Sequence, residues 1–162
     1  MASGNRPIQF MLGPSPRIYF NELEKTTDTG KFKILLQKYW LCALIGCLFD
    51  KPAQRENDDV WVNDYFPEPL KGNQHLIRAL GFFRYADKLG YSAEDEDDLL
   101  TGMKDFFEDD TRTKLSGVGL DTFDHYAAGG FKLLNEKIPE PSDLAEFLID
   151  YVNLIEEKDG ED

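Results

Sequence analysis

Phe32-Lys33-Ile34-Leu35-Leu36-Gln37-Lys38-Tyr39-Trp40-Leu41-Cys42-Ala43-Leu44-Ile45-Gly46-Cys47-Leu48-Phe49 is the stretch that decides the fold. Phe32, Leu35, Leu36, Tyr39, Trp40, Ala43, Leu44, Cys47 and Leu48 recur at steps of three and four, the rhythm of an apolar helical stripe. From Tyr39 to Phe49 eleven residues pass without a charge, so the helix is apolar on almost every side. Such a helix must be covered by other helices or by a partner. Eleven residues fall short of the ~20 that a bilayer span needs. The reading is a buried helix at the centre of an all-helical core.

Outward from this helix, the pattern repeats. Asn73–Leu89 reads as a helix with Leu76, Ile77, Leu80, Phe83 and Ala86 inward and Gly90 ending it. Ser92-Ala93-Glu94-Asp95 resembles a capping box, and the helix it opens places Leu99, Leu100, Met103, Phe106 and Phe107 inward. Leu115–Gly119 reads as a turn. Leu120, Phe123, Tyr126, Ala127, Phe131 and Leu134 stripe the next helix, where Gly130 permits close helix approach. After Pro139 and Pro141, the stripe Leu144, Phe147, Leu148, Tyr151, Val152 and Ile155 marks the last helix. The fold class expected is all-α, a five-helix bundle-like single domain. Its expected limits are residues 20–158, with a frayed acidic tail at 159–162.

Residues 1–19 read as an extended arm, because Pro7, Pro14, Pro16, Gly4 and Gly13 interrupt regular structure. Ile8, Phe10, Met11 and Leu12 make it too apolar for a free tail. It is expected in a groove, its own or a partner's. Residues 51–71 read as a long connection that carries Val60 and the aromatics Trp61, Tyr65 and Phe66, which would lid the core or form a contact surface. A strand at Val60–Val62 would lack a partner.

The net charge of −13 falls in two blocks. Residues 91–110 carry nine acidic and one basic side chain, and residues 136–162 carry ten and two. Acid repels phosphate, so no direct nucleic-acid contact is expected, and a protein with a basic surface is the expected partner. Solvation of charged faces is the simpler account of both blocks. Cys42 and Cys47 lie about 140° apart on their helix, which argues against a bridge between them and for a reduced, cytoplasmic setting. Ile8–Leu12 is too short for a signal-peptide core.

Chemistry-bearing patterns are sparse. His75, His125, Cys42 and Cys47 show no metal-ligand spacing, and Glu94–Asp98 lacks the loop of a calcium site, so no metal is expected. Gly117-Val118-Gly119 lacks the lysine of a phosphate loop, so no cofactor is expected either. Asp121, Asp124 and His125 are the best acid–base group, although a cap and a surface ion pair account for them equally well. Lys71, Arg78, Arg84 and Lys88 interleave with Phe82 and Tyr85 in a pattern that could meet single strands, against the simpler reading of a basic helix face.

Lys38-Tyr39-Trp40-Leu41-Cys42-Ala43-Leu44-Ile45-Gly46 is similar to an aromatic and apolar helix in small accessory proteins of bacterial anti-phage islands, including Dnd-type DNA phosphorothioation systems. Tyr126-Ala127-Ala128-Gly129-Gly130-Phe131 followed by Leu144–Ile155 resembles their closing helices. The resemblance touches packing residues and transfers no site. It implies a non-catalytic subunit that works beside a nuclease or an ATPase. The acidic charge departs from what a DNA-contacting member would show.

The functional expectation is a non-enzymatic accessory or scaffolding subunit in a hetero-oligomer, docking through Phe10, Met11, Leu12, Trp61, Tyr65, Phe66 and the acids Glu94, Asp95, Glu96, Asp97 and Asp98. Two alternatives stand beside it. One is an acidic DNA mimic that inhibits a nuclease or a DNA-binding protein. The other is a small hydrolase using Asp124 and His125.

Overall fold

The computed structural model describes residues 9–25, 35–62 and 65–160. Their elements in chain order are β1 (Met11–Leu12), α1 (Pro14–Lys25), α2 (Leu35–Phe49), β2 (Val60–Trp61), α3 (Glu68–Lys71), α4 (Gln74–Lys88), α5 (Glu96–Phe106), α6 (Gly117–Lys137) and α7 (Leu144–Gly160). Among the described residues the protein is all-α apart from the two-residue pairing of β1 with β2 and an isolated antiparallel bridge between Phe107 and Leu115. The expected helix count of five is too low, because α1 is a full helix and α3 adds a short turn.

The central helix is where its sequence places it. Tyr39, Trp40, Cys42, Ala43, Ile45 and Cys47 of α2 are buried, over more than half of the helix's circumference, and Leu41, Leu44 and Leu48 are half-buried on the remaining face. Its main partner is α6, which buries Leu120, Phe123, Tyr126, Ala127, Phe131 and Leu134. The two backbones meet through glycine. A Cβ on Gly130 would stand 1.8 Å from the Cys42 carbonyl oxygen, and one on Gly46 would stand 1.9 Å from that of Tyr126. No side chain fits at either position, so the helices cross closer than ordinary packing allows. At its C-terminal end α2 stops at Asp50, which takes a left-handed φ of 52°. The Asp50 carboxylate accepts the Tyr126 hydroxyl at 2.8 Å, tying the turn back to α6.

The arm departs from its expectation. Pro14 and Pro16 sit in the first turn of α1, where helix N–H groups have no intrahelical partner and proline's missing donor costs little. Helix therefore starts at Pro14, where extended chain was expected up to residue 19. Ser15 Oγ donates to Glu56 Oε2 at 2.6 Å, and its N–H to Oε1 at 3.2 Å, so a carboxylate from the following loop closes the positive end of α1. Ahead of α1, β1 pairs antiparallel with β2, Met11 opposite Trp61 and Leu12 opposite Val60. The arm thus supplies the partner that the isolated strand signal lacked.

Phe10 is fully buried, with ring centroids 4.9 Å from Tyr39, 5.1 Å from Trp40 and 6.4 Å from Phe123. Phe66 stacks on Trp40 at 5.1 Å. The groove that holds the arm is the chain's own. The buried residues from Phe10 to Leu154 form one cluster. α7 closes it with Phe147, Tyr151 and Leu154, and the Tyr151 hydroxyl donates to the Leu41 carbonyl at 2.6 Å.

Two inward faces differ from those expected. On α5, Leu100 and Met103 are exposed while Phe106 is buried. Asp95, not Ser92, is the N-cap, its Oδ1 accepting Asp98 N–H at 3.1 Å. On α7, Leu148 and Val152 face outward. The helix runs on to Gly160, past the point where fraying was expected. No helix among the described residues is long and apolar enough to cross a membrane.

Candidate functional site

Several expected interface residues lie in the core. Phe10, Leu12 and Phe66 are at most 2% exposed and fill the space around Trp40, so they present nothing to a partner in this fold. Met11 and Tyr65 are half-buried, and Arg112 covers the Tyr65 ring at 5.1 Å. The Trp61 side chain lies outside the described residues. Glu94, Asp95, Glu96 and Asp97 are exposed, and Asp98 is half-buried.

The acid–base group is a strut. Asp124 is buried, and its Oδ1 accepts the Tyr39 hydroxyl at 2.8 Å and the Met11 N–H at 3.1 Å. The Arg55 guanidinium lies 3.9 Å from Asp124 Oδ2, 3.3 Å from Asp121 Oδ1 and 2.6 Å from Asp59 Oδ2. Partial burial works against the Arg55 charge. The hydrogen bond to Asp59 and the Asp124 carboxylate outweigh it and raise its pKa above the ordinary value. His125 turns to its own helix, with Nδ1 2.7 Å from the Asp121 carbonyl oxygen and 3.4 Å from Asp121 Oδ2. Asp124 and His125 thus serve different neighbours. The space beside Asp124, Arg55 and Asp59 is about 10 Å³, near the size that one water occupies.

The two cysteines and the arginines of α4 are also committed. Burial pushes the Cys42 thiol far above its ordinary value and the Cys47 thiol up to about 12, which leaves both poor in thiolate at neutral pH. Phe82 is in the core. Arg84 donates to the Cys47 and Leu48 carbonyls at 2.7 and 3.3 Å, capping the negative end of α2. Arg78 bonds Gln74 and the Thr113 carbonyl. Among the described residues, no three His, Cys, Asp or Glu side chains are placed to hold a metal ion.

Among the described residues, a groove of about 380 Å³ opens between α4 and the start of α5, lined by Leu80, Phe83, Ala86, Tyr91, Ala93 and Leu99 with Arg84 and Asp87. Local sequence builds it. Gly90 takes a φ of 75°, its N–H bonds the Asp87 carbonyl at 3.0 Å, and Tyr91 N–H bonds that of Ala86 at 2.9 Å. This pair of bonds is the glycine-terminated end of a helix, which folds the next side chain back over the last turn. Tyr91 and Ala86 accordingly share the groove wall. Gly102 of α5 leaves room for the Tyr91 ring, which a Cβ there would meet at 3.2 Å. Asp95 then starts α5 and turns Leu99 toward the groove.

The outer wall is an apolar row that sequence reading assigned to the core. Leu76, Leu80, Phe83 and Asp87 fall within an arc of about 60° on α4. Phe83 is 54% exposed and Leu76 60% exposed, while Ile77, Gly81, Phe82 and Ala86 occupy the buried side. A sequence signal existed: apolar residues cover more of α4 than one core contact can use. Glu94 follows Ala93 of the lining, and Glu96 stands about 60° around α5 from Leu99; no described lysine or arginine forms an ion pair with either, or with Asp97 farther round the helix. No family model, curated protein or solved structure matches this chain.

Proposed function

We propose that the chain is a non-catalytic docking subunit of a larger assembly and that α4 with the start of α5 carries its docking face. The observation behind this reading is the open apolar groove beside the acidic start of α5, on a molecule whose Cys42, Cys47 and Asp124 are buried in the core. Phe83, Leu100 and Met103 expose large apolar side chains on these two helices, a cost that a monomer gains nothing from. The groove walls are rigid helix and a fixed turn, so little ordering is needed on association. The bacterial-defence setting rests on the sequence resemblance alone and is no part of this reading.

The test is the native state of the chain in its own cells. A tagged chain should elute in a complex with a stoichiometric protein partner, and Phe83→Asp should release it as an 18.6 kDa monomer with an unchanged helical spectrum. A wild-type chain that elutes alone would contradict the docking reading.

A further inference from the structure

Resting on the docking reading, we propose that the groove takes an amphipathic helix of a partner protein. This helix sets a bulky apolar side chain among Phe83, Tyr91 and Leu99, and lays lysines or arginines over Glu94 and Glu96. Three observations select that occupant. The groove volume of about 380 Å³ accommodates a large side chain, and its lining is mostly apolar. The row Leu76, Leu80, Phe83 extends over about 10 Å along α4, two helical turns, which matches anchors spaced i, i+4, i+7 on a facing helix. Glu94, which follows Ala93 of the lining, and Glu96, three residues before Leu99, are exposed and paired with no described lysine or arginine, while Arg84 of the lining is held by the Cys47 and Leu48 carbonyls, so a basic occupant is steered in and an acidic one repelled. The same charge argues against a second copy, since each chain carries −13.

The test uses the full chain and two synthetic 14-residue helical peptides of one apolar pattern, leucine with lysine and leucine with glutamate, followed by fluorescence anisotropy. The lysine peptide should bind, with affinity that falls as salt rises, and the glutamate peptide should not. Ala93→Phe fills the groove at an exposed position without altering charge, and should weaken binding at least about tenfold, the loss of one anchor. Phe83→Ser, on the opposite wall, should do the same, while Glu94→Gln with Glu96→Gln and Asp97→Asn should lower the association rate. Equal binding by Ala93→Phe and Phe83→Ser would mean that charge alone holds the peptide and would overturn the groove assignment. A native partner retained in cells while the lysine peptide fails to bind would overturn the basic-helix occupant and leave the docking reading standing. A chain whose scattering mass doubles, and which Ala93→Phe returns to monomer, would show that the occupant is a second copy.

Discussion

Asp124 is the buried carboxylate through which α6 holds α2, β1 and the loop before β2. It is the acceptor for Tyr39 of α2 and for the backbone of β1, and it faces Arg55 from the loop. Asp124→Ala would strand a hydroxyl and an N–H away from water, and should cost about 3–5 kcal/mol in urea unfolding, as breaking a buried pair does. Gly130→Ala should be worse than the ~1–3 kcal/mol of ordinary overpacking, because the atom it meets is backbone. Gly117→Ala, with open space at its Cβ, is the control that should barely change the melt. The buried protons make a third expectation. Burial raises the pKa of Cys42, Cys47, Tyr19, Tyr126 and Tyr151 above the ordinary 9.0 and 10.0. Above those values the unfolded chain releases protons that the folded chain keeps. Stability is therefore complete below pH 9.0, falls as pH rises through the thiol and then the phenol range, and goes on falling toward the raised folded values. A urea midpoint that is flat from pH 8 to pH 11 would contradict this burial.

At the scale of elements, periodicity made α2, α4, α6 and α7 legible, because a helix that buries a face must repeat apolar residues near every 3.6 positions. What periodicity hides is which apolar arc is the buried one. On α4 and α7 the apolar residues span two faces, and only the neighbouring helices decide between Phe82 and Phe83, or between Tyr151 and Val152. The arm was misread for a different reason. Pro14 and Pro16 are helix breakers in an interior and acceptable residues in a first turn, and only the loop carboxylate of Glu56 marks this as a first turn. Of the groove, only the surplus of apolar residues on α4 was legible. The groove needs Tyr91 folded over Ala86 and a gap between two elements, neither of which a linear pattern encodes. The arm's placement has a direct consequence. Phe10→Ala should cost about 3–5 kcal/mol, as emptying an aromatic core site does, whereas Met11→Ala should cost much less. A truncation that removes residues 1–13 should accordingly melt earlier by calorimetry. An unchanged melting point would show that the arm does not complete the core.

The whole molecule is a tightly crossed α2–α6 core with its catalytic-looking groups tied down and its acid left at the surface. The central claim is that α4 and the start of α5 form the working face. Amide hydrogen exchange on the chain within its native assembly, compared with the free chain, tests it most directly. Slowed amide exchange confined to residues 80–103, with α7 unaltered, is the predicted result. Protection on the outer face of α7 around Leu148 and Val152, with residues 80–103 exchanging as in the free chain, would contradict it.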